Sequence, residues 1–252
     1  MAIGDELLSG FTLDTNSHWI AQRLRLLGHP LKRVTQIRDR QAEIVEAVRR
    51  EIADPEVEHV FCTGGLGPTP DDRTFEALGA ALGRDLVVWE GVRVKIEKRL
   101  ARMLQAGLID SAELNHGHLR MATIPTDPQA VLRNRVGSAP GVVYRVDATS
   151  VYVLPGVPAE MKAIFSEEIE AAYLGGGTAG VLREIRLSFA VEGRFYPVLS
   201  ELESTHPEVS VGSYPNFESK ELVLRCQGAD AKRVEDAIRI LTRTAIALGY
   251  SP

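Results

Sequence analysis

The residues best suited to chemistry lie in one glycine-rich loop from Thr63 to Thr74, with the sequence TGGLGPTPDDRT. The segment before it predicts a short apolar strand, and the segment after it predicts a helix that ends near Gly83. Glycines let backbone N–H groups converge on an anion, and a helix N-terminus adds a favourable dipole. Asp71 and Asp72 would repel a phosphate unless a divalent cation lay between them. The loop therefore predicts a metal–phosphate site, with a tight turn whose aspartates cap the helix as the structural alternative.

A second carboxylate of interest is Asp39, which follows the predicted strand ending at Ile37. Taken alone, Asp39 is a typical N-cap of the next helix. If the two strands are near neighbours, Asp39 and Asp72 lie at the same edge of a sheet and can share a Mg²⁺-like cation with substrate phosphates. We therefore predict catalytic roles for Asp39, Asp71 and Asp72, with Asp39 and Asp72 as the metal ligands.

Other loops at predicted strand ends carry glycines and polar side chains that a polar ligand could use. The structural alternatives are an N-cap for Asn16 and simple turn chemistry for the two later loops. For Asp5 and Glu6, ligand binding and a purely structural role both stay open. The residues predicted to bind substrate or phosphate are Gly4, Asp5, Glu6, Ser9, Asn16, Gly64, Gly65, Gly67, Thr74, Gly137, Ser138, Gly156, Pro158 and Glu160.

The elements that must position these loops alternate between strand and helix, which predicts a mainly parallel sheet covered on both faces. The first strand, Met1–Ile3, is short, and we expect the natural chain to begin earlier. The predicted helices are Leu13–Gly28, Ala42–Ala53, Thr74–Leu82, Gly91–Gln105 and Pro158–Tyr173. The other predicted strands are Leu31–Ile37, Val57–Cys62, Ala130–Leu132, Gly141–Val146 and Val151–Leu154.

Three consecutive glycines, Gly175–Gly177, mark a boundary between two predicted domains, residues 1–174 and 178–252. The second has the order β-α-β-β-α, which predicts a small α+β domain of the KH-like or ferredoxin-like kind. A KH domain grips RNA with a G-x-x-G loop, but Val191–Arg194 has one glycine and an acid, so we expect dimerisation rather than RNA binding. Its predicted elements are Leu182–Val191, Phe195–Ser204, Val209–Tyr214, Glu221–Cys226 and Ala231–Leu248.

The composition of the 252-residue chain excludes several classes of protein. A net charge of −5 and a pI near 5.8 argue against a non-specific nucleic-acid binder. No apolar stretch reaches the roughly 18 residues of a membrane helix. Cys62 and Cys226 are far apart and predict buried thiols, and His116 and His118 lack a third metal ligand. P-loop and Rossmann motifs are absent from the sequence. We expect a cytoplasmic protein.

Four motifs together resemble the competence-damage-inducible protein (CinA) family, whose N-terminal part belongs to the MoaB/Mog-like molybdopterin-binding superfamily. The resemblance covers roughly residues 1 to 173, and the small domain resembles the KH-like domain that follows in that family. The nicotinamide-nucleotide deamidase domain of full-length members is missing from this sequence, so we expect no such activity. The motifs are GDELLSG with DTN (4–10 and 14–16), GGLGPTPDDRT (64–74), GSAPG (137–141) and PGVPAEM (155–161).

This resemblance implies a three-layer α/β/α fold and places Asp39 and Asp72 at acidic positions that lie in the pterin and metal site of Mog-like relatives. It implies a pyrophosphatase that uses Mg²⁺, Mn²⁺ or Co²⁺ to hydrolyse ADP-ribose or a related nucleotide, comparable to the domain fused to eukaryotic FAD synthetase. The alternative is a molybdopterin-binding protein without hydrolase activity, and a third hypothesis is a non-catalytic partner-binding module. The expected partner is a small nucleotide or pterin. We expect a homo-oligomer, as a dimer, without nucleic acid or membrane.

Overall fold

A six-stranded mixed sheet forms the centre of the first part of the chain in the computed structural model, which describes residues 1–177 and 179–251. The sheet order is β2-β1-β3-β8-β7-β6, where β2, β1, β3 and β8 pair in parallel and β7 pairs antiparallel with both β8 and β6. The predicted, mainly parallel sheet is therefore confirmed. The strands of this part are β1 (Ala2–Ile3), β2 (Gln36–Ile37), β3 (His59–Thr63), β4 (Leu86–Val88), β5 (Thr123–Pro125), β6 (Ala130–Leu132), β7 (Gly141–Val146) and β8 (Thr149–Leu154).

Helices cover both faces of this sheet, as the predicted three-layer fold requires. Successive side chains of a strand point to opposite faces, so Phe61 stacks on Tyr152 at 4.5 Å between ring centroids and meets Phe165 on one face. Val60 and Cys62 join the core of the other face with Ile44. The helices are α1 (Asp5–Leu8), α2 (Thr15–Leu26), α3 (Gln41–Ala53), α4 (Thr74–Leu82), α5 (Glu90–Gln105), α6 (His116–Ala122), α7 (Pro158–Ile164) and, after a π-helical turn (Phe165–Ile169), α8 (Glu170–Tyr173).

The edge strand β2 is much shorter than predicted, because only Gln36 and Ile37 pair with β1. The preceding residues bind acidic side chains instead of extending the ladder: Lys32 Nζ lies 2.8 Å from Asp54 Oδ2, and Arg33 Nη2 lies 2.7 Å from the same oxygen. The alternating pattern at 31–35 reflects these surface ion pairs. The prediction of a strand from Leu31 to Ile37 was therefore wrong over its first five residues.

Strands β4 and β5 and the short helices α1 and α6 were not predicted from the sequence. Strands β4 and β5 pair antiparallel in a separate two-stranded sheet, and α6 leads directly into β5. Leu86, Val87 and Val88 are each more than one-third exposed, so this run lacks the alternation that signals a half-buried strand. Exposed His116 starts α6, whose N-cap is Asn115.

The C-terminal part contains a small antiparallel sheet of order β10-β11-β9. Its β-α-β-β-α sequence of elements is as predicted, and the closer likeness to a KH domain stays a prediction. Leu187, Phe195 and Leu224 are fully buried in its own core. The elements are β9 (Val181–Ser188), a 3₁₀ turn (Glu192–Phe195), α9 (Tyr196–Thr205), β10 (Ser210–Asn216), β11 (Glu221–Gly228) and α10 (Ala231–Ala247).

The chain divides into two compact units. The first comprises residues 1–22 and 31–175, and the second comprises residues 23–30 together with the chain from Gly176 onward. The end of α2 thus groups with the second unit. The domain limits of 1–174 and 178–252 stay a prediction. Among residues 1–177 and 179–251, no helix is both long and apolar enough to cross a membrane.

Candidate functional site

The predicted site loops all lie at one edge of the central sheet. Parallel strands β2, β1, β3 and β8 end there, and their carboxyl ends lead into the loops that contain Asp39, Asp5, Gly64 and Gly156. The loop of residues 133–140 reaches the same edge because antiparallel β7 begins there, with Val142 opposite Val153 near the end of β8. Open α/β sheets bind ligands beyond the carboxyl ends of their strands, so this edge is the candidate site.

The start of the glycine-rich loop has a backbone that only glycine fits. Gly64 has a φ of +104°, and a Cβ there would lie 2.1 Å from the Ile3 carbonyl oxygen. Gly65 has a φ of +67°, and its Cβ would lie 2.2 Å from Thr74 Oγ1. Buried Thr74 donates its hydroxyl hydrogen bond to the Gly64 carbonyl at 2.8 Å. Thr74 therefore holds the loop from inside.

Asp39 is the half-buried centre of a carboxylate cluster. Its Oδ2 accepts a hydrogen bond from the Asp5 N–H at 2.9 Å. Burial raises the pKa of Asp39, and the negative charges of Glu6, Asp5 and Asp71 raise it further against that hydrogen bond. Asp39 is not an N-cap as its structural alternative predicted, because α3 begins after Arg40 without a side-chain cap. A region with this surplus of negative charge favours a cation.

Asp72 shapes its own loop. Its Oδ2 accepts hydrogen bonds from the Thr69 N–H at 2.8 Å and from the Thr69 hydroxyl at 2.5 Å. Its carbonyl oxygen accepts one from Arg120 Nη2 at 2.7 Å. Helix α4 begins after Arg73 without a side-chain cap, so the alternative in which the aspartates cap this helix was wrong. A Cβ on Gly67 would lie 2.6 Å from Asp72 Oδ2, so a side chain there would displace the Asp72 carboxylate from this position.

Asp71 is exposed, and its negative charge acts on Asp39. The polar side chain of Thr69 beside it lowers the pKa of Asp71, and its own N–H and the charges of Arg73 and Arg120 lower it further. The loop carboxylate that raises the pKa of Asp39 is Asp71. Asp71 is therefore the loop aspartate whose charge reaches Asp39.

The carboxylates around Asp39 would supply only part of the ligands that a hard cation needs. Within residues 1–177 and 179–251, no three His, Cys, Asp or Glu side chains come close enough to hold a metal ion by themselves. Mg²⁺ commonly takes one or two carboxylates and completes its shell with water and substrate phosphates. Asp39 with one loop aspartate matches that demand.

Asn16 ties the β8 loop to α2. It is 8% exposed, and its Nδ2 donates to the Gly156 carbonyl at 2.7 Å. Its Oδ1 is buried and accepts no hydrogen bond from the described part of the chain. The predicted N-cap role was wrong, since Asp14 accepts the Ser17 N–H at 2.9 Å in that position. A Cβ on Gly156 would lie 3.2 Å from Gly64 Cα, so glycine at 156 lets the two loops approach closely.

Asn134 organises the loop before β7, and its role was missed from the sequence. Its Nδ2 donates to the Ala139 carbonyl at 2.7 Å and to Glu160 Oε2, while its Oδ1 accepts the N–H groups of Val136 and Gly137 at 3.0 and 2.8 Å. The carboxyl group of Glu160 occupies the space that a Cβ on Gly137 would need, 2.0 Å away. Gly137 and Glu160 are therefore brought together, and Glu160 supports the loop.

Lys95 of α5 is a second missed residue of this loop. Its Nζ donates to the Asn134 carbonyl. Burial lowers the pKa of Lys95, and the charge of Glu160 opposes that effect. A lysine within an amphipathic helix gives no sequence signal of such a contact, because most lysines at such positions face solvent.

The remaining predicted residues lie at the same edge with simpler contacts. The Gly4 N–H donates to the Ile37 carbonyl at 3.0 Å. The exposed hydroxyl of Ser9 donates to the Glu6 carbonyl at 3.2 Å. Pro158 is exposed at the first turn of α7, and Ser138 is partly buried within the Asn134 loop.

Asn134→Ala should lower the free energy of unfolding by about 2–3 kcal/mol, because it leaves buried N–H and C=O groups without partners. Urea denaturation of both proteins measures this difference. Asn115→Ala, which removes the exposed N-cap of α6, is the control and should cost only about 1 kcal/mol. Equal losses in the two variants would contradict the organising role of Asn134.

Comparisons with known proteins agree with this geometry. Residues 1–174 match the family described as "Probable molybdopterin binding domain", and residues 181–246 match "FAD synthase, middle domain". The chain belongs to the molybdopterin binding domain family. A protein from Thermococcus kodakarensis is 34% identical over 249 residues, covering 98% of this chain and 97% of the relative. A Pyrococcus furiosus protein is 32% identical over 246 residues, covering 98% and 96%.

Within that family, the chain is CinA-like. The solved structure of CinA from Thermoplasma acidophilum, described as having unknown function, superposes with a TM-score of 0.58 at 34% identity. The match covers 66% of this chain and 90% of the other. The predicted resemblance to CinA is thus confirmed for the N-terminal part.

Proposed function

We propose that the protein is a metal-dependent pyrophosphatase that hydrolyses ADP-ribose or a related nucleoside diphosphate. The observation that carries this proposal is the position of Asp39 beside the glycine-rich loop, where its Oδ1 lies 3.4 Å from the position of a Cβ on Gly65 and its Oδ2 accepts the Asp5 N–H. The negative charges of Glu6, Asp5 and Asp71 also act on Asp39. Carboxylates that repel one another are stabilised by a cation. A cation beside a glycine-rich loop suits a diphosphate, whose oxygens contact both.

The loop supplies donors for such a ligand. In the part of the chain that the structure describes, the N–H groups of Gly65, Leu66 and Gly67 have no protein acceptor, whereas the Gly64 N–H is bonded to the Leu154 carbonyl. These three N–H groups would bind phosphate oxygens. Asp39 with Asp72 or Asp71 would hold the cation. The cation would polarise the phosphoryl oxygen for attack by water.

The match of residues 181–246 to a domain of FAD synthase supports a nucleotide ligand. FAD contains the same diphosphate linkage as ADP-ribose. The second candidate function is molybdopterin binding without hydrolysis. It is favoured by the family match of residues 1–174 and by the partial ligand set around Asp39.

Product analysis over ADP-ribose, FAD and NAD with Mg²⁺, Mn²⁺ or Co²⁺ tests the proposal. We expect metal-dependent release of a nucleoside monophosphate. Asp72→Asn should lower the rate of this release about 10-fold to 100-fold, the range seen when a metal site loses a supporting group. Asp147→Asn is the control, because Asp147 lies in the β7–β8 turn at the opposite end of the sheet and its φ of +49° suits asparagine.

A third variant separates two roles of Asp72. Thr69→Val removes one hydrogen bond to Asp72 and keeps its charge. If Asp72 acts on the cation, Thr69→Val should retain most of the turnover that Asp72→Asn loses. Absence of cleavage by the wild type with every metal, together with retention of molybdopterin, would move the assignment to the second candidate.

A further inference from the structure

Helix α6 packs directly against the glycine-rich loop and contacts it at two points. Gly117, near the start of the helix, meets Pro68, and Arg120, in its last turn, binds the main chain of Asp72. We propose that α6 holds the loop carboxylates in the geometry that binds the cation, with Arg120 as the positioning residue. This inference rests on the proposed function and deepens it, because it names the element that fixes the cation site.

The first argument is how Arg120 joins the loop to the first turn of α4. Its Nη2 donates to the Asp72 carbonyl oxygen at 2.7 Å and lies 3.2 Å from Glu76 Oε1 in that turn. A guanidinium group presents its donors at fixed angles in one plane. The contact therefore fixes the direction of the main chain at Asp72, and with it the direction in which the carboxylate leaves the chain.

The second argument is that Arg120 lies beside the residues proposed to bind phosphate. It lines a cavity of about 80 Å³ together with Gly65, Leu66 and Gly67. Its Nε is buried and has no acceptor in the part of the chain that the structure describes. A buried donor without an acceptor is destabilising. The contacts with the loop and with α4, rather than complete pairing of the guanidinium group, therefore set its position.

The third argument is the close approach of Gly117 to the loop. A Cβ on Gly117 would lie 2.6 Å from the Pro68 carbonyl oxygen and 2.8 Å from Pro68 Cβ. Pro68 directly precedes Thr69, whose N–H and hydroxyl donate to Asp72 Oδ2. One helix thus contacts the chain just before the turn of residues 69–72 and again at its last residue.

Helix α6 is itself held at both ends. Met121 and Ala122 are buried in the core of the first unit, and the Trp89 N–H donates to the Ala122 carbonyl at 2.7 Å. At the other end, the Asn115 side chain accepts the His118 N–H at 3.0 Å. Precise sites need such support from rigid elements. The contacts of α6 therefore give the loop a fixed reference.

Mn²⁺ binding to variants of Arg120, followed by EPR titration, tests the proposal without turnover. Electrostatics alone predicts that Arg120→Gln binds Mn²⁺ more tightly, because it removes a positive charge that acts on Asp71. The positioning role predicts the opposite sign. We expect binding about 10-fold to 100-fold weaker, the loss typical when a metal site loses a group that orients its ligands. Arg120→Lys keeps the charge and a donor and should recover most of this loss.

Arg49→Gln is the matched control for the loss of an arginine. Arg49 donates to the carbonyls of Ala80 and Ala81 at the other end of α4, at 2.8 and 3.3 Å. The control variant therefore loses the same charge and similar bonds to the main chain of the same helix. It should bind Mn²⁺ as the wild type does.

A second pair of variants changes no charge. Gly117→Ala would press on Pro68 and should weaken Mn²⁺ binding, as Arg120→Gln does. Gly91→Ala is its control, because both glycines are the second residue of a helix. A Cβ on Gly91 would lie 3.6 Å from the Trp89 side chain, which is an ordinary contact, so this variant should bind Mn²⁺ normally.

Amide hydrogen exchange in EDTA gives a second readout that needs no cation. The Thr69 N–H is bonded to Asp72 Oδ2, and the Asp72 N–H is bonded to the Thr69 carbonyl. Arg120→Gln and Gly117→Ala should speed exchange at these two positions by about tenfold, because the turn opens more often. The two control variants should exchange there as the wild type does.

Unchanged exchange at residues 69 and 72 in Arg120→Gln would overturn the proposal, and so would Mn²⁺ affinity equal to or above that of the wild type. A role in general stability alone would lower the Tm of this variant and leave both readouts unchanged. Failure of the proposed function has a different signature. A wild type that binds no Mn²⁺ would remove the cation and the hydrolase, whereas faster exchange in the variants would still assign the support of the loop to α6.

Discussion

Asp39→Asn should reduce metal-dependent cleavage at least about 100-fold while leaving the fold intact. Asparagine has nearly the same shape and keeps an oxygen that accepts the Asp5 N–H. The variant therefore removes the charge that holds the cation and little else. Steady-state rates against metal concentration should show this loss, and Asp147→Asn should match the wild type. A variant that retains more than a tenth of the wild-type rate at saturating metal would remove Asp39 from the proposed catalytic set.

The same variant has an opposite expected effect on stability when no metal is present. Burial and the charges of Glu6, Asp5 and Asp71 raise the folded-state pKa of Asp39 above its unfolded value. A raised pKa means that this group's contribution to stability is present below the unfolded pKa and is lost as pH rises through the folded pKa. In EDTA at pH 7, Asp39→Asn should therefore have a Tm equal to or above that of the wild type.

Two comparisons check this sign. The difference in Tm should shrink as the pH falls toward about 4, where aspartate side chains begin to protonate. Added Mn²⁺ or Mg²⁺ should raise the Tm of the wild type and not that of the variant, because a ligand of the native state stabilises it. A lower Tm of the variant in EDTA at pH 7 would show that the carboxylate of Asp39 stabilises the apo protein, against the repulsion argued above.

The positions of the site loops could be predicted because they depend on short-range patterns. Apolar runs of the kind at Val60–Cys62 identify strands, and the polar residues directly after them must lie at the carboxyl ends. In a mainly parallel sheet those ends meet at one edge, so Asp39, Gly64 and Gly156 could be placed there from sequence alone. The glycines of the loop also predicted its sharp bends, because backbone positions with a positive φ favour glycine.

The roles of individual side chains could not be predicted in the same way. Asn134 looks like an ordinary loop residue, and its partner Glu160 is 26 positions away in the sequence. Asn16 looks like an N-cap, yet its amide reaches Gly156 across 140 positions. Each contact depends on how two loops are packed, which local spacing does not encode.

The capping roles considered for Asp39 and Asp72 were wrong for a related reason. Asp39 and Asp72 both precede a helix by two residues, which favours a capping interpretation. In the structure, the carboxylate of Asp39 accepts a hydrogen bond from the Asp5 N–H, and that of Asp72 accepts one from the Thr69 N–H. For Asp39 a donor from another segment, and for Asp72 a donor of the same loop, replaced the helix N–H groups as partners.

Gly64→Ala should have the largest effect on stability, a loss of at least about 3 kcal/mol. The new Cβ would lie 2.1 Å from the Ile3 carbonyl oxygen, which is main chain in the centre of the sheet and cannot rotate away. The Gly64 N–H is also bonded to the Leu154 carbonyl at 3.1 Å, so moving the loop would break the contact between β3 and β8. Urea denaturation, or the yield of folded protein if the variant does not accumulate, measures the loss.

Gly10→Ala is the matched control for this effect. Gly10 also has a positive φ, +76°, but a Cβ there has no heavy atom within 4 Å. Its substitution should therefore cost only the conformational penalty of alanine in the left-handed region, about 1–2 kcal/mol. If Gly64→Ala loses no more stability than Gly10→Ala, the close approach of the two main chains is not what requires glycine. The loop could then move away from Ile3, and its N–H groups would not be held in place for a phosphate.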